Sequence, residues 1–192
     1  MVAWERALLG VVVAMASLAR GCHAPEAAEL ELVAGAADDE RVRFRPEASF
    51  AELLRLPGEH DELRVTLAGY EASCERFVPP GPGRASITVT VAFPAGVDPK
   101  PGTYSWAGHE AHGGTPARPE RAYALPTARI GPRGYVFPPG GSITLTAVEL
   151  SARGRIDGLL AFSFPGDASH PAMSAAGRFS ARLCRAGESA SP

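Results

Sequence analysis

The sequence predicts an all-β domain: an antiparallel β-sandwich or open barrel of about eight or nine strands, with one short helix near its N-terminus. Three observations support this fold class. Apolar residues alternate with polar ones in several short segments, as they do in strands that bury one face. The chain has 21 glycines and 18 prolines, which fall mainly between those segments, where turns are expected. No segment has the length of a helix that could connect parallel strands, so antiparallel pairing is expected.

The first predicted elements lie in the N-terminal quarter of the chain. Leu30–Val33 is a candidate short strand in an acidic, alanine-rich segment. Ser49–Leu54 fits a capping box, in which a serine and a glutamate three residues apart satisfy the first backbone amides of a helix. This pattern predicts a short helix at about 50–55, which Pro57–Gly58 would end.

Most of the remaining strands are predicted from their apolar faces. Thr103–Trp106 is a further predicted strand, and Tyr123–Ile130 and Gly134–Phe137 are weaker candidates. The strongly alternating segments carry the following apolar residues: Leu63, Val65 and Leu67; Ile87, Val89, Val91 and Phe93; Ile143 and Leu145; Ile156, Leu160, Phe162 and Phe164; Gly177, Phe179, Ala181 and Leu183.

The length of 192 residues suits one domain. The predicted organisation is a signal peptide at 1–21, an acidic tether at 22–40, a single β-rich domain at 41–185 and a disordered tail at 186–192. The formal net charge of −2 offers no electrostatic basis for binding nucleic acid. The β-rich domain resembles no family that its residues allow us to name.

The N-terminal segment predicts where in the cell the protein is located. Thirteen apolar or small residues run from Ala7 to Ala19, which is shorter than the roughly 20 residues of a membrane span and typical of a signal-peptide core. The core leads into Leu18-Ala19-Arg20-Gly21-Cys22, which resembles the lipobox of bacterial lipoproteins in its small Gly21 and its Cys22, and departs from it at Arg20. The resemblance covers residues 1–22 and implies that Cys22 carries a lipid that anchors the protein in the bacterial cell envelope. Plain secretion after cleavage at Ala19 and an uncleaved anchor stay open.

The three cysteines fit this address. If Cys22 carries lipid, Cys74 and Cys184 remain, and an oxidising compartment outside the cytosol favours a disulfide between them. Both share parity with the polar residues of their predicted strands, so the bond is expected to join the first and last long strands side by side. The alternative is a pair of free thiols.

Two groups of residues are candidates for binding. Tyr104, Trp106, Tyr123 and Tyr135 cluster in the middle of the chain and could form a stacking surface for a sugar or a peptide, because each combines an apolar ring with a polar group. His109, Glu110 and His112 lie in a glycine-flanked loop and are a weak candidate for a metal site, since a further ligand would be needed.

No nucleophile motif or phosphate-binding loop is present in the sequence, so we expect no catalytic residues, no cofactor and no required metal. The expected function is that of a non-enzymatic cell-envelope lipoprotein whose β domain serves binding, adhesion or scaffolding. Its expected partners are the membrane, through the lipid anchor, and an envelope protein or a glycan ligand. The alternative is a metal-binding protein or small metal-dependent hydrolase that uses the loop of His109, Glu110 and His112. A secreted or periplasmic location is the alternative address.

Overall fold

The computed structural model describes residues 30–33, 41–57, 59–105, 121–136, 140–164 and 173–184. In these residues every regular element is a strand, and none belongs to a helix long and apolar enough to cross a membrane. The strands are β1 (Leu30–Val33), β2 (Arg41–Phe44), β3 (Ala48–Arg55), β4 (His60–Ala68), β5 (Ala85–Pro94), β6 (Gly102–Ser105), β7 (Tyr123–Ile130), β8 (Arg133–Val136), β9 (Gly141–Val148), β10 (Arg155–Phe164) and β11 (Met173–Leu183).

The strands form two sheets of very different size. β1 and β2 pair with each other, and the other nine strands form one sheet in the order β6-β9-β10-β11-β3-β4-β5-β7-β8. Neighbours in the large sheet are antiparallel except for β11 and β3, which run parallel and pair at only two positions. The predicted all-β class is confirmed, and the parallel pair between its first and last strands is an addition to the expected antiparallel pattern.

The large sheet curls into a nearly closed barrel. Its edge strand β6 approaches β7, which lies near the opposite edge. The ring of Tyr104 on β6 meets the ring of Phe93 on β5 edge to face, with centroids 5.3 Å apart. A single cluster of buried apolar side chains, drawn from β3, β4, β5, β7, β9, β10 and β11, fills the concave side. The architecture is therefore an open barrel with a packed core.

The predicted apolar faces point into this core. Leu63, Val65 and Leu67 of β4 are fully buried, and so are the alternating apolar residues of β5. Ile143 and Leu145 of β9 are buried in the same cluster. Burying one such side chain stabilises the fold by about 1.5–3 kcal/mol relative to leaving it in water. The period-two pattern is the reason that these segments are strands with one apolar face.

The helix predicted at 50–55 is wrong, because these residues belong to β3. Along its whole length β3 pairs with β4, and at Phe50 and Ala51 it also pairs with β11. Ala51 faces the core, whereas Phe50 lies on the convex side in a second, smaller apolar cluster. A capping box stabilises a helix by only about 1 kcal/mol, and strand pairing on both sides with burial on both faces outweighs that local preference.

The connection between β4 and β5, residues 69–84, lies on the convex side of the sheet, and we call it the strap. Phe77 of the strap packs edge to face on Phe50, with ring centroids 5.9 Å apart. Cys74 of the strap is bonded to Cys184, which directly follows β11. These four residues and Ala72 make up the second apolar cluster, which is separate from the core.

The predicted Cys74–Cys184 disulfide is present, with an S–S distance of 2.09 Å and a sequence separation of 110 residues. Its expected position was wrong in one respect. Cys74 lies in the strap and not in β4, so the bond ties the strap to the β11–β3 seam and does not link two long strands directly. Closing a loop of this length restricts the unfolded chain and contributes about 4–5 kcal/mol in loop-entropy models.

Candidate functional site

A shallow depression lies at the end of the barrel where β3 turns into β4 and where β5 ends. It has a volume of about 320 Å³ and is lined by Arg55, Leu56, Pro57, Asp61, Ala95 and Gly96. We call this feature the rim depression. It combines an apolar wall from the β3–β4 turn with charged groups from both strands.

Asp61 is the buried charged group of the rim depression, with only 3% of its surface exposed. It shares the core-facing side of β4 with Leu63, because strand residues two apart point the same way. A buried carboxylate requires hydrogen bonds. Asp61 receives them from the Arg55 guanidinium and from the backbone amide of Gly96, the latter at 2.9 Å. The carboxylate thereby fastens the turn after β5 to the β3–β4 hairpin.

Arg55 connects Asp61 to a second carboxylate. Its guanidinium donates hydrogen bonds to Asp61 and to Asp98, whose side chain is 59% exposed. The hydrogen bonds that Arg55 donates, first to Asp98 and second to Asp61, raise the pKa of the Arg55 guanidinium, so this side chain stays cationic. Two carboxylates face one guanidinium, so the ionised triad carries a net charge of −1. This favours a neutral hydrogen-bonding ligand or a cationic ligand over an anionic one.

A charged row lies next to the depression on the convex side of β4. His60 Nε2 lies 2.9 Å from Glu62 Oε1, and Arg64 donates to Glu62 Oε2 from Nε at 2.9 Å and from Nη2 at 2.7 Å. His60 and Glu62 are only 4% and 6% exposed, whereas Arg64 reaches solvent. The row therefore leads from a buried imidazole to a surface cation.

The row holds the imidazole in one orientation. An ionised carboxylate only accepts hydrogen bonds, so His60 donates from Nε2 when Glu62 is ionised. Its buried Nδ1 atom makes no hydrogen bond with the part of the chain that the structure describes. Nδ1 is then an unused acceptor in the neutral ring. Elsewhere, histidines oriented in this way serve as bases or metal ligands, but the described residues contain no group of three or more metal-ligating side chains.

Sequence reasoning did not find these two groups of charged residues. The detectable signal was the spacing of positions 60, 62 and 64, because residues two apart on a strand share a face. What the sequence does not display is that this face is covered, or that the hairpin brings Arg55 opposite Asp61 in the β3–β4 register.

The predicted aromatic surface is not assembled by the members whose side chains the structure describes. Tyr104 lies opposite Ile143 in the sheet and packs on the core. Its hydroxyl donates a hydrogen bond to the Lys100 carbonyl at 2.7 Å. Tyr123 pairs across from Ala92 on the opposite, convex side and is largely buried. These two rings therefore lie on different faces of the sheet.

Several other predicted site residues cannot be placed. Tyr135 lies in β8 and its side chain is not described. Cys22, Trp106, His109, Glu110 and His112 lie outside the described residues. Lipidation at Cys22 and the weak metal site therefore stay predictions.

The described residues define a class of architecture: an open barrel with a packed interior, a disulfide-bonded strap and a charged rim. The chain itself matches no protein-family model, no curated protein and no solved structure at a significant level. Its function must therefore be inferred from its residues and their geometry, since a fold class does not determine an activity.

Proposed function

We propose that this protein is a non-enzymatic, lipid-anchored protein of the bacterial cell envelope whose barrel is a rigid binding module. The Cys74–Cys184 disulfide is the observation that carries the proposal. Structural disulfides persist in oxidising compartments outside the cytosol. Because these two cysteines bond to each other, Cys22 remains available for a lipid at the end of a signal-like apolar segment.

The packing of the barrel argues for a binding site at its surface. Large side chains such as Phe93, Phe162 and Leu63 are fully buried in the interior, where they belong to one contiguous cluster. A barrel filled in this way holds its rim in place but encloses little space for a ligand. The rim depression, with its exposed Asp98 and its fixed Arg55, is the surface that we assign to the partner, an envelope protein or a glycan.

The anchor is tested by fractionating cells that express the full chain or its Cys22→Ala variant, with metabolic labelling by an alkyne fatty acid. We expect the wild-type protein in the membrane fraction, labelled, and released only by detergent. We expect the variant to be unlabelled and soluble. Equal solubility of both proteins, with no label on either, would refute lipidation.

The role of the rim is tested separately by sedimentation of the purified protein with peptidoglycan sacculi and with intact envelopes from which the protein has been deleted. Arg55→Ala and Asp98→Ala should each weaken retention about tenfold, a loss of about 1.4 kcal/mol. Arg153→Ala, in the exposed turn between β9 and β10, is the matched control and should bind like wild type. If the rim variants and the control are retained equally, the rim is not the binding surface.

A further inference from the structure

We propose that the Cys74–Cys184 disulfide is a redox-operated clasp that holds the strap against the barrel. The clasp stays closed in an oxidising compartment and opens where a thiol reductant attacks Cys184, so that Cys74 leaves as the thiolate. Three features support this proposal: the attachment of the strap, the burial of the two cysteine residues and the positive charge beside one sulfur.

The strap has few attachments to the rest of the barrel. Among the described residues, its backbone hydrogen bonds stay within the strap or join its two ends to Ala85 and Gly131. The middle of the strap is held to the convex side by the disulfide and by the packing of Phe77 on Phe50, and the hydroxyl of the buried Tyr70 donates a hydrogen bond to the Val78 carbonyl at 2.9 Å. The cluster around the disulfide is separate from the barrel core. Opening the bond therefore removes the covalent attachment of the strap without breaking a strand ladder.

The two sulfurs of the disulfide differ in how easily an incoming thiolate reaches them. Both cysteine residues are buried: Cys74 in the strap is 1% exposed, and Cys184, directly after β11, is 9% exposed. Exchange requires an incoming thiolate to reach one sulfur in line with the S–S bond. Cys184 is the more accessible of the two, so the mixed disulfide forms there.

A cationic side chain lies beside Cys74, the proposed leaving group. Arg182 Nη2 lies 3.5 Å from Cys74 Sγ. A guanidinium at this position stabilises a thiolate, and a stabilised thiolate leaves faster. Arg182 is therefore a positioning and electrostatic residue for opening, and it favours departure of Cys74 over departure of Cys184.

The exchange balances with two equivalents of a small thiol such as glutathione. The first thiolate bonds to Cys184 Sγ while the Cys74–Cys184 bond breaks, and the bonding electron pair leaves on Cys74. A second thiolate attacks the glutathione sulfur of the mixed disulfide and releases Cys184 as a thiolate. The protein disulfide gains two electrons, and the two small thiols become one oxidised disulfide. The opened strap uncovers Phe50, an apolar side chain on the convex side of β3.

The test uses the full chain, oxidised or treated with glutathione, with trypsin as the probe of the strap. Arg76 is an exposed trypsin site in the middle of the strap. We expect reduction to speed cleavage there about tenfold or more while the far-ultraviolet circular dichroism of the sheet is kept, because local opening exposes the chain to protease. A strap that stays protected after reduction, or a barrel that unfolds as a whole, would overturn the clasp.

Two further measurements test the direction of attack. Peptide mapping after brief treatment with glutathione should find the adduct on Cys184, and an adduct on Cys74 would contradict the assignment. Arg182→Gln should slow reduction on the order of threefold to tenfold, and Arg182→Lys should restore most of the rate. Arg178→Gln, two convex-side positions further from the bond on β11, should reduce at the wild-type rate. Equal rates in the Arg182→Gln and Arg178→Gln variants would remove Arg182 from the mechanism.

Discussion

Replacing Asp61 by alanine tests whether the buried carboxylate holds the rim together. The substitution removes the acceptor of the Arg55 guanidinium and of the Gly96 amide. A hydrogen bond to a charged group contributes about 1.5–3 kcal/mol. The Arg55 contact is worth less than that, because the arginine side chain is 45% exposed and solvent screens the pair. We therefore expect Asp61→Ala to lower the free energy of unfolding by about 2–3 kcal/mol.

The measurement is urea unfolding at pH 7, followed by circular dichroism, together with a thermal scan in which about 1 kcal/mol corresponds to a shift of 2–4 °C for a domain of this size. Asp61→Asn keeps an acceptor for Gly96 and should lose less than the alanine variant. Asp98→Ala removes only an exposed partner of Arg55 and should change stability by less than about 1 kcal/mol. If Asp61→Ala and Asp98→Ala proved equally stable, Asp61 would not be the residue that fastens the turn.

Three other outcomes are expected. Gly158→Ala should destabilise the fold by about 1–3 kcal/mol in urea unfolding, because its Cβ would lie 2.3 Å from the Thr144 carbonyl oxygen. Gly81→Ala is the control and should leave the stability unchanged, because nothing lies within 4 Å of its Cβ. Equal free energies of unfolding for the two variants would contradict the packing argument. Burial raises the pKa of Tyr70 against the opposing effects of its hydrogen bond with Ser86 and the charge of Arg129. The contribution of Tyr70 to the free energy of unfolding is therefore fully present below about pH 10 and is lost as the pH rises through the raised pKa. The fall in melting temperature at alkaline pH should be smaller in Tyr70→Phe, and an unchanged fall would show that Tyr70 does not cause it. Metal analysis of protein purified without a histidine tag should find no stoichiometric zinc or copper, and a metal lost together with stability in His109→Ala would reverse that expectation.

Local pattern was sufficient to predict which faces of the strands are buried. Leu63, Val65 and Leu67 alternate with polar residues, and a strand turns successive side chains to opposite faces, so their burial follows from the sequence alone. The pairing of Cys74 with Cys184 was also predicted from the sequence, because a lipid at Cys22 would leave only these two of the three cysteines. These inferences need no knowledge of which strands become neighbours.

The choice of neighbours was decided by the tertiary structure. Ser49–Leu54 carries a local helix signal, but β4 on one side and β11 on the other impose a strand, since pairing and burial exceed the weak preference of one helical turn. The parallel contact of β3 with β11 joins the two antiparallel halves of the sheet through residues more than 100 positions apart, and no local pattern encodes it.

The candidate site, too, was decided mainly by the tertiary structure. His60 and Glu62 share a face by their spacing, which the sequence displays. Their burial, the approach of Gly96 to Asp61 and the position of the strap over Phe50 depend on turns and loops folding back across the barrel. Alternation specifies the two faces of a strand, because it is a property of the backbone of that strand. What covers the second face depends on distant segments, and for this protein only the folded chain determined it.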